Sequence, residues 1–336
     1  MPKKGWKVSQ EKKQSAKRVK LAFISLFFIL GLVILGKGFS LFKVFFTPWE
    51  KSSQTVRNYI WNGENNVNII IKAKEISLLN FSPQKQSIKI INIPDNTYID
   101  VAKGFGKWQI SSIYELGQSQ KDLGGGELLK LSLVNFFGLP IEGILIFSDK
   151  FSQADASAIV SEIRKNPFSA TALLSYLKTD LTPFELIRLK IGLSGVRFDK
   201  IKQVNLSNMD LLVKDNLADG TLVYSSDPIK LDSIFFDIFD QMLTMEHKTI
   251  AVYNSTNHPN LAQKAARIIT NLGGNVIIVS NGQTNLKNTK VTGVKSKTLD
   301  RLKQIFEISG KIDPNMEELT SSRADINVFL GEDYFN

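Results

Sequence analysis

The feature that most constrains this chain is Leu21–Gly36, LAFISLFFILGLVILG, an uncharged apolar run of 16 residues directly behind a basic tail. Val19 before it and Gly38–Phe42 after Lys37 lengthen it, and about 20 residues at roughly 1.5 Å each span the hydrocarbon core of a bilayer. Lys20 and Lys37 stand at its ends, where long cationic side chains reach the interfaces. A secretory signal would close on a small-x-small cleavage site. This run leads instead into Lys37, Phe39, Phe42 and Phe45-Phe46, so residues 21–42 read as an uncleaved, single-pass anchor. Eight Lys and Arg side chains precede it against the single acid Glu11. The positive-inside rule therefore puts residues 1–20 in the cytoplasm and the bulk of the chain outside the cell membrane.

The tail also explains the net charge. It holds +7 of the formal +10, which leaves a nearly neutral body. A neutral body lacks the field that nucleic acid requires, and twenty residues are too few for a DNA-binding domain, so nucleic acid is excluded as a partner. Anionic lipid suits the tail. With no cysteine, thiolate nucleophiles, disulfides and thiolate-bound zinc are ruled out. The two histidines, His247 and His258, show no partner pattern, and no Gly-x-Ser-x-Gly, Walker loop or His-Glu-x-x-His occurs.

Residues 43–65 read as an interfacial segment and linker, with Trp49 and Trp61 expected near lipid headgroups. Two β-rich runs follow at 66–73 and 87–93, then a turn at Pro94-Asp95-Asn96 and a short strand, TYIDV. After Gly124-Gly125-Gly126, the helical spacing of Leu128, Leu129, Leu131, Val134 and Phe137 predicts a helix that Gly138 ends. IEGILIF at 141–147 reads as a buried strand, and a helix is expected over 153–165. Thr182-Pro183-Phe184-Glu185 forms a capping box that starts another helix, running to about Ile191. Asp227-Pro228 predicts one ending near Met245, and 166–247 as a whole reads as richer in helix than strand, with strands at 201–206 and 221–225. From residue 248 the pattern is that of a small α/β domain, β-α-β-β-α-β-like.

These residues resemble a known family. INIPDNTYIDV at 91–101, GFGKWQISSIYELG at 104–117 and GGELLKLSLVNFFGLPIEGILIF at 125–147 follow the order and spacing of LytR-CpsA-Psr domains. IAVYNSTNHPNLAQKAARIITNLGGNV and ADINVFLGEDY resemble the LytR C-terminal domain often found after them. The resemblance implies a basic cytoplasmic tail (1–20), an anchor (21–42), a linker (43–65), an α/β sandwich domain (66–247) and the C-terminal module (248–336). It also implies transfer of glycopolymers from a polyprenyl-pyrophosphate carrier to peptidoglycan, with Mg²⁺ held by carboxylates.

The candidate site departs from that family. Its Pro-Arg-Asp-Thr turn is Pro94-Asp95-Asn96-Thr97 here, and its Lys-Ile-Asn stretch is Gln109-Ile110-Ser111. The resemblance marks Asp95 and Asn96 as candidate catalytic positions, with Asp95 as the metal ligand if Mg²⁺ is used. Arg188, from the basic cluster at 188–202, is the candidate catalytic cation standing in for the family's arginine-rich helix, which 181–246 lacks. Lys107, Arg197 and Lys200 are the candidate ligand-binding residues. Arg197 and Lys200 fall in the densest basic cluster outside the tail, with Arg188, Lys190 and Lys202, although cations near a helix C-terminus also simply complement its dipole. Gly124–Gly126 offers backbone N–H groups to an anion, with Glu127 already in the first helical turn. The resulting expectation is an envelope protein that binds polyprenyl-linked glycopolymer or cell-wall material through a degenerate site. The alternative is an active phosphotransferase.

Overall fold

The computed structural model describes residues 47, 59–148, 151–165, 175–208, 211–217, 220–235, 238–282, 286–308 and 322–334. The expected anchor and Trp49 lie outside the described residues, and none of the described helices is long and apolar enough to cross a membrane.

The chain after Trp61 builds β1 (Val67–Lys72), β2 (Ile76–Ser82), β3 (Ser87–Ile93), β4 (Thr97–Val101) and β5 (Gly106–Gln109). Two helices follow, α1 (Ile110–Ser119) and α2 (Gly125–Phe137), and then β6 (Gly143–Phe147) and α3 (Ala156–Lys165). The next elements are β7 (Leu177–Thr179), α4 (Pro183–Ser194), β8 (Ile201–Asn205), β9 (Leu212–Asn216) and β10 (Leu222–Ser226). The six-stranded sheet has the order β7-β6-β1-β2-β3-β8, and a second sheet has the order β5-β4-β10-β9. Segments on both sides of residue 149 therefore contribute strands to both sheets.

The near-continuous apolar runs of β1 and β2 follow from burial on both faces. On one face Ile70, Leu78, Ile91 and Ile144 pack with Leu128, Leu129 and Leu133 of α2. On the other Ile69, Leu79, Phe81 and Ile88 pack with Ile159 of α3 and with Leu189 and Leu193 of α4. The result is an α/β/α sandwich in which each such side chain contributes about 1.5–3 kcal/mol through burial.

The remaining elements are α5 (Pro228–Asp232), α6 (Gln241–Thr244), β11 (Thr249–Asn254), α7 (Leu261–Asn271), β12 (Asn275–Asn281), β13 (Lys290–Gly293), α8 (Lys297–Ile305) and β14 (Ile326–Leu330). From β11 onward the order is β-α-β-β-α-β, with sheet order β12-β11-β14-β13. This module caps the end of α2. Gly138, at φ +60°, closes that helix in the left-handed conformation. Arg267 of α7 donates to the carbonyls of Asn135 (2.9 Å) and Phe136 (3.1 Å) while holding Asp232 at 2.6 Å. Asn271 donates to the Gly138 carbonyl at 3.0 Å.

Several expectations are corrected. Trp61 is 2% exposed and away from any headgroup layer: its ring meets Phe81 edge-on and its backbone N–H donates to Glu185, itself fully buried. The single helix expected from Pro228 to Met245 is broken, because Asp240 caps a new start and its N–H donates to the Leu272 carbonyl. Helix α4 runs three residues beyond Ile191. The region 166–247 is, as expected, slightly richer in helix than in strand among its described residues, but its strands are four and include Leu177–Thr179 and Leu212–Asn216, which the sequence reading does not anticipate.

Candidate functional site

Strands β1 and β6 pair parallel, as do β3 and β8, and β2 lies antiparallel between β1 and β3. All four therefore point the same way, and an open sheet of this kind presents ligand sites at the C-terminal ends of its parallel strands. That edge carries Lys72 at the end of β1 and the Pro94-Asp95-Asn96 turn after β3. The Lys72 ammonium stands over the Tyr114 ring of α1 at 4.6 Å. Asp95 is exposed as a residue, but the turn partly desolvates its carboxyl. Burial pushes this carboxyl above its ordinary pKa, and the Lys72 charge pulls it partway back. Asn96 is committed to structure, donating to the Leu222 carbonyl at 2.9 Å. Thr97 closes the turn on the Pro94 carbonyl at 2.7 Å.

The other predicted residues stand elsewhere. Lys107 is exposed on the edge strand β5, opposite Asp100 of β4. Arg188 lies over the Phe184 ring at 5.0 Å and borders Gly63, which precedes β1. Arg197 pairs locally with Asp199 at 3.0 Å, its side chain 80% exposed, and Lys200 precedes β8. Ile201 is the register partner of Ile88, so Lys200 and Asp95 stand beyond opposite ends of β3, whose seven residues at ~3.3 Å each span about 23 Å. Arg188, Arg197 and Lys200 therefore occupy the N-terminal edge of the sheet, while Asp95, Asn96 and Lys72 occupy the C-terminal edge. Of the remaining arginines, Arg164 donates to the Leu193 and Val196 carbonyls, Arg267 binds Asp232, and Arg301 binds Asp240.

Asp95 does not have the company of a divalent cation site. Among the described residues no group of three or more Asp, Glu or His side chains converges to hold a metal, and the charge acting on Asp95 is a cation, Lys72. The residues at this edge therefore do not fit Mg²⁺. Within Gly124–Gly126 it is Gly125 that packing requires: a Cβ there would overlap the Tyr114 carbonyl oxygen, and one on Gly117 would lie 2.7 Å from the Gly125 Cα, whereas one on Gly126 would meet only ordinary contacts. Gly117 and Gly125 let α1 and α2 approach closely, which is a different task from cradling an anion.

Lys72 and Tyr114 went unnoticed in the sequence, although Lys72 is the one charge ending an otherwise uncharged strand, VNIIIK. His258, which showed no partner pattern, meets Glu332 at 2.9 Å.

The turn after β11, where Asn254 accepts from the N–H and hydroxyl of Thr256, sits within the part of the chain that matches a known family. Residues 248–334 match the family model described as LytR cell envelope-related transcriptional attenuator. The C-terminal module is a LytR C-terminal domain. The chain is also similar to solved structures at low identity. Bacillus subtilis TagT is 12% identical over 56% of this chain and 96% of its own, with a TM-score of 0.38. B. subtilis TagV is 13% identical over 51% and 94%, at 0.39. A third similar structure is the LytR-CPS2A-psr family protein TagT with bound octaprenyl pyrophosphate lipid, 12% identical over 56% and 95%, at 0.38. No curated protein matches the chain.

Proposed function

We propose that the chain is a membrane-anchored, extracytoplasmic envelope protein that binds polyprenyl-linked glycopolymer or cell-wall material and does not transfer it. The observation that carries this reading is the separation of charge across the central sheet. Arg188, Arg197 and Lys200 stand at one edge, and Asp95 with Lys72 at the other. Phosphoryl transfer from a pyrophosphate needs several preorganised cations where charge develops. One lysine opposite one carboxylate of raised pKa supplies a weak phosphate contact and little more. The ligand class rests on the resemblance of residues 91–147 to LytR-CpsA-Psr motifs and on the LytR C-terminal domain that follows. The basic tail and apolar run of the sequence support the anchored part of this reading, with the folded part outside.

The test is a transfer assay with the full-length protein, a polyprenyl-pyrophosphate-linked glycopolymer and peptidoglycan, with and without Mg²⁺. Binding without polymer appearing on peptidoglycan supports the reading. Mg²⁺-dependent transfer that is lost in Asp95→Ala establishes the alternative, an active phosphotransferase.

A further inference from the structure

A cavity of about 230 Å³ lies between α2 and the LytR C-terminal domain and shares no lining residue with the Lys72–Asp95 edge. Two polar groups without a partner among the described residues face it. Glu127 is only 8% exposed, yet its carboxylate has no hydrogen bond or ion pair among the described residues. The Tyr59 hydroxyl is buried and likewise lacks a partner there. A first-turn position on α2 favours the charge of Glu127 through the helix dipole, and its carboxylate oxygens, unlike the Tyr59 hydroxyl, are open to the cavity.

The other charges around the cavity set the sign of what it accepts. Lys130 is neutralised by Asp180 at 3.1 Å, and Glu142 lies 3.6 Å from Arg301. Asp333 adds a further carboxylate, one of its oxygens accepting from the Thr289 N–H and hydroxyl at 2.7 and 2.6 Å. The lining is therefore net negative, which repels phosphate and favours an ammonium. Phe306 and Tyr334, with ring centroids 5.7 Å apart and tilted by 60°, supply an apolar wall on which a sugar ring or a cation rests favourably. The volume equals about seven or eight waters at ~30 Å³ each, the room of one sugar ring.

We propose that this cavity binds an amino sugar with a free amine, its ammonium on Glu127 and its ring against Phe306 and Tyr334. The inference goes beyond the binding of a polyprenyl-linked polymer and stands or falls separately from it. Titration of the full-length protein with glucosamine and with N-acetylglucosamine, which differs in lacking the charge, tests it. Glucosamine is expected to bind at least tenfold more tightly, and Glu127→Gln is expected to lose that preference while keeping the fold, since the amide is isosteric. Phe306→Ala, on the opposite wall, is expected to weaken glucosamine binding as well and carries the test if Glu127→Gln fails to fold. Equal binding of the two sugars, no glucosamine binding at about 10 mM, or an unchanged preference in a folded Glu127→Gln protein overturns the assignment.

Discussion

Arg301 Nε lies 2.6 Å from Asp240 Oδ2, with both side chains only 2% exposed. The pair joins α8 of the LytR C-terminal domain to the start of α6, and Arg301 reaches on to Glu142 at 3.6 Å. Burial alone would lower the guanidinium pKa, but the carboxylates of Asp240 and Glu142 outweigh it and raise it. Removing one partner of a buried pair strands the other charge. Arg301→Met is therefore expected to cost about 3–5 kcal/mol, read as a lower midpoint in urea unfolding.

The close approach of α1 and α2 depends on Gly125, where a Cβ would overlap the Tyr114 carbonyl oxygen. Because that obstacle is backbone, it cannot swing aside. Gly125→Ala is expected to destabilise by at least about 1–3 kcal/mol, seen in thermal or urea melts. Unchanged stability would mean that the glycine run serves something other than packing.

Asp95 titrates above an ordinary aspartate because its turn desolvates the anion, and Lys72 opposes that shift. Removing the cation disfavours the anion further, so Lys72→Met is expected to raise the Asp95 pKa again. A carboxyl raised in the folded state gives up stability as pH climbs from the unfolded value near 3.9 through the folded one. Carbon-detected NMR titration of the Asp95 carboxyl in wild type and variant measures both.

Asp325 behaves in the opposite sense. Its carboxylate accepts from the Thr249 N–H at 2.9 Å and hydroxyl at 2.8 Å, and Lys248 lies at 3.6 Å. These bonds, the backbone one foremost, hold its pKa below the usual value. The stability they add is fully present above the unfolded pKa and is lost as pH falls through the lowered one. Asp325→Asn is therefore expected to flatten the acid side of the stability-versus-pH curve. An unaltered acid limb would contradict the assignment.

What the sequence revealed was local. The Thr182–Glu185 capping box and the left-handed Gly138 depend on neighbours within a few residues, and both stand as read. Strand β9, LVKDN, is exposed over four of its five residues, so it lacks the apolar alternation that marks a strand. Trp61 looked interfacial because aromatics flank membrane spans, while its burial depends on Glu185 and Phe81, both distant in sequence. The separation of Arg188 from Asp95 was invisible for the same reason: spacing along the chain does not say which edge of a sheet a residue reaches. The Arg301–Asp240 pair, 61 residues apart, had no local signature at all.

Native mass spectrometry of the full-length protein, incubated with a polyprenyl-pyrophosphate-linked glycopolymer, peptidoglycan and Mg²⁺, tests the central claim most directly. Binding without transfer predicts a protein-bound lipid-linked polymer that persists when Mg²⁺ is chelated, and no polymer on the peptidoglycan. An empty protein, or Mg²⁺-dependent polymer on the peptidoglycan that disappears in Asp95→Ala, would contradict it.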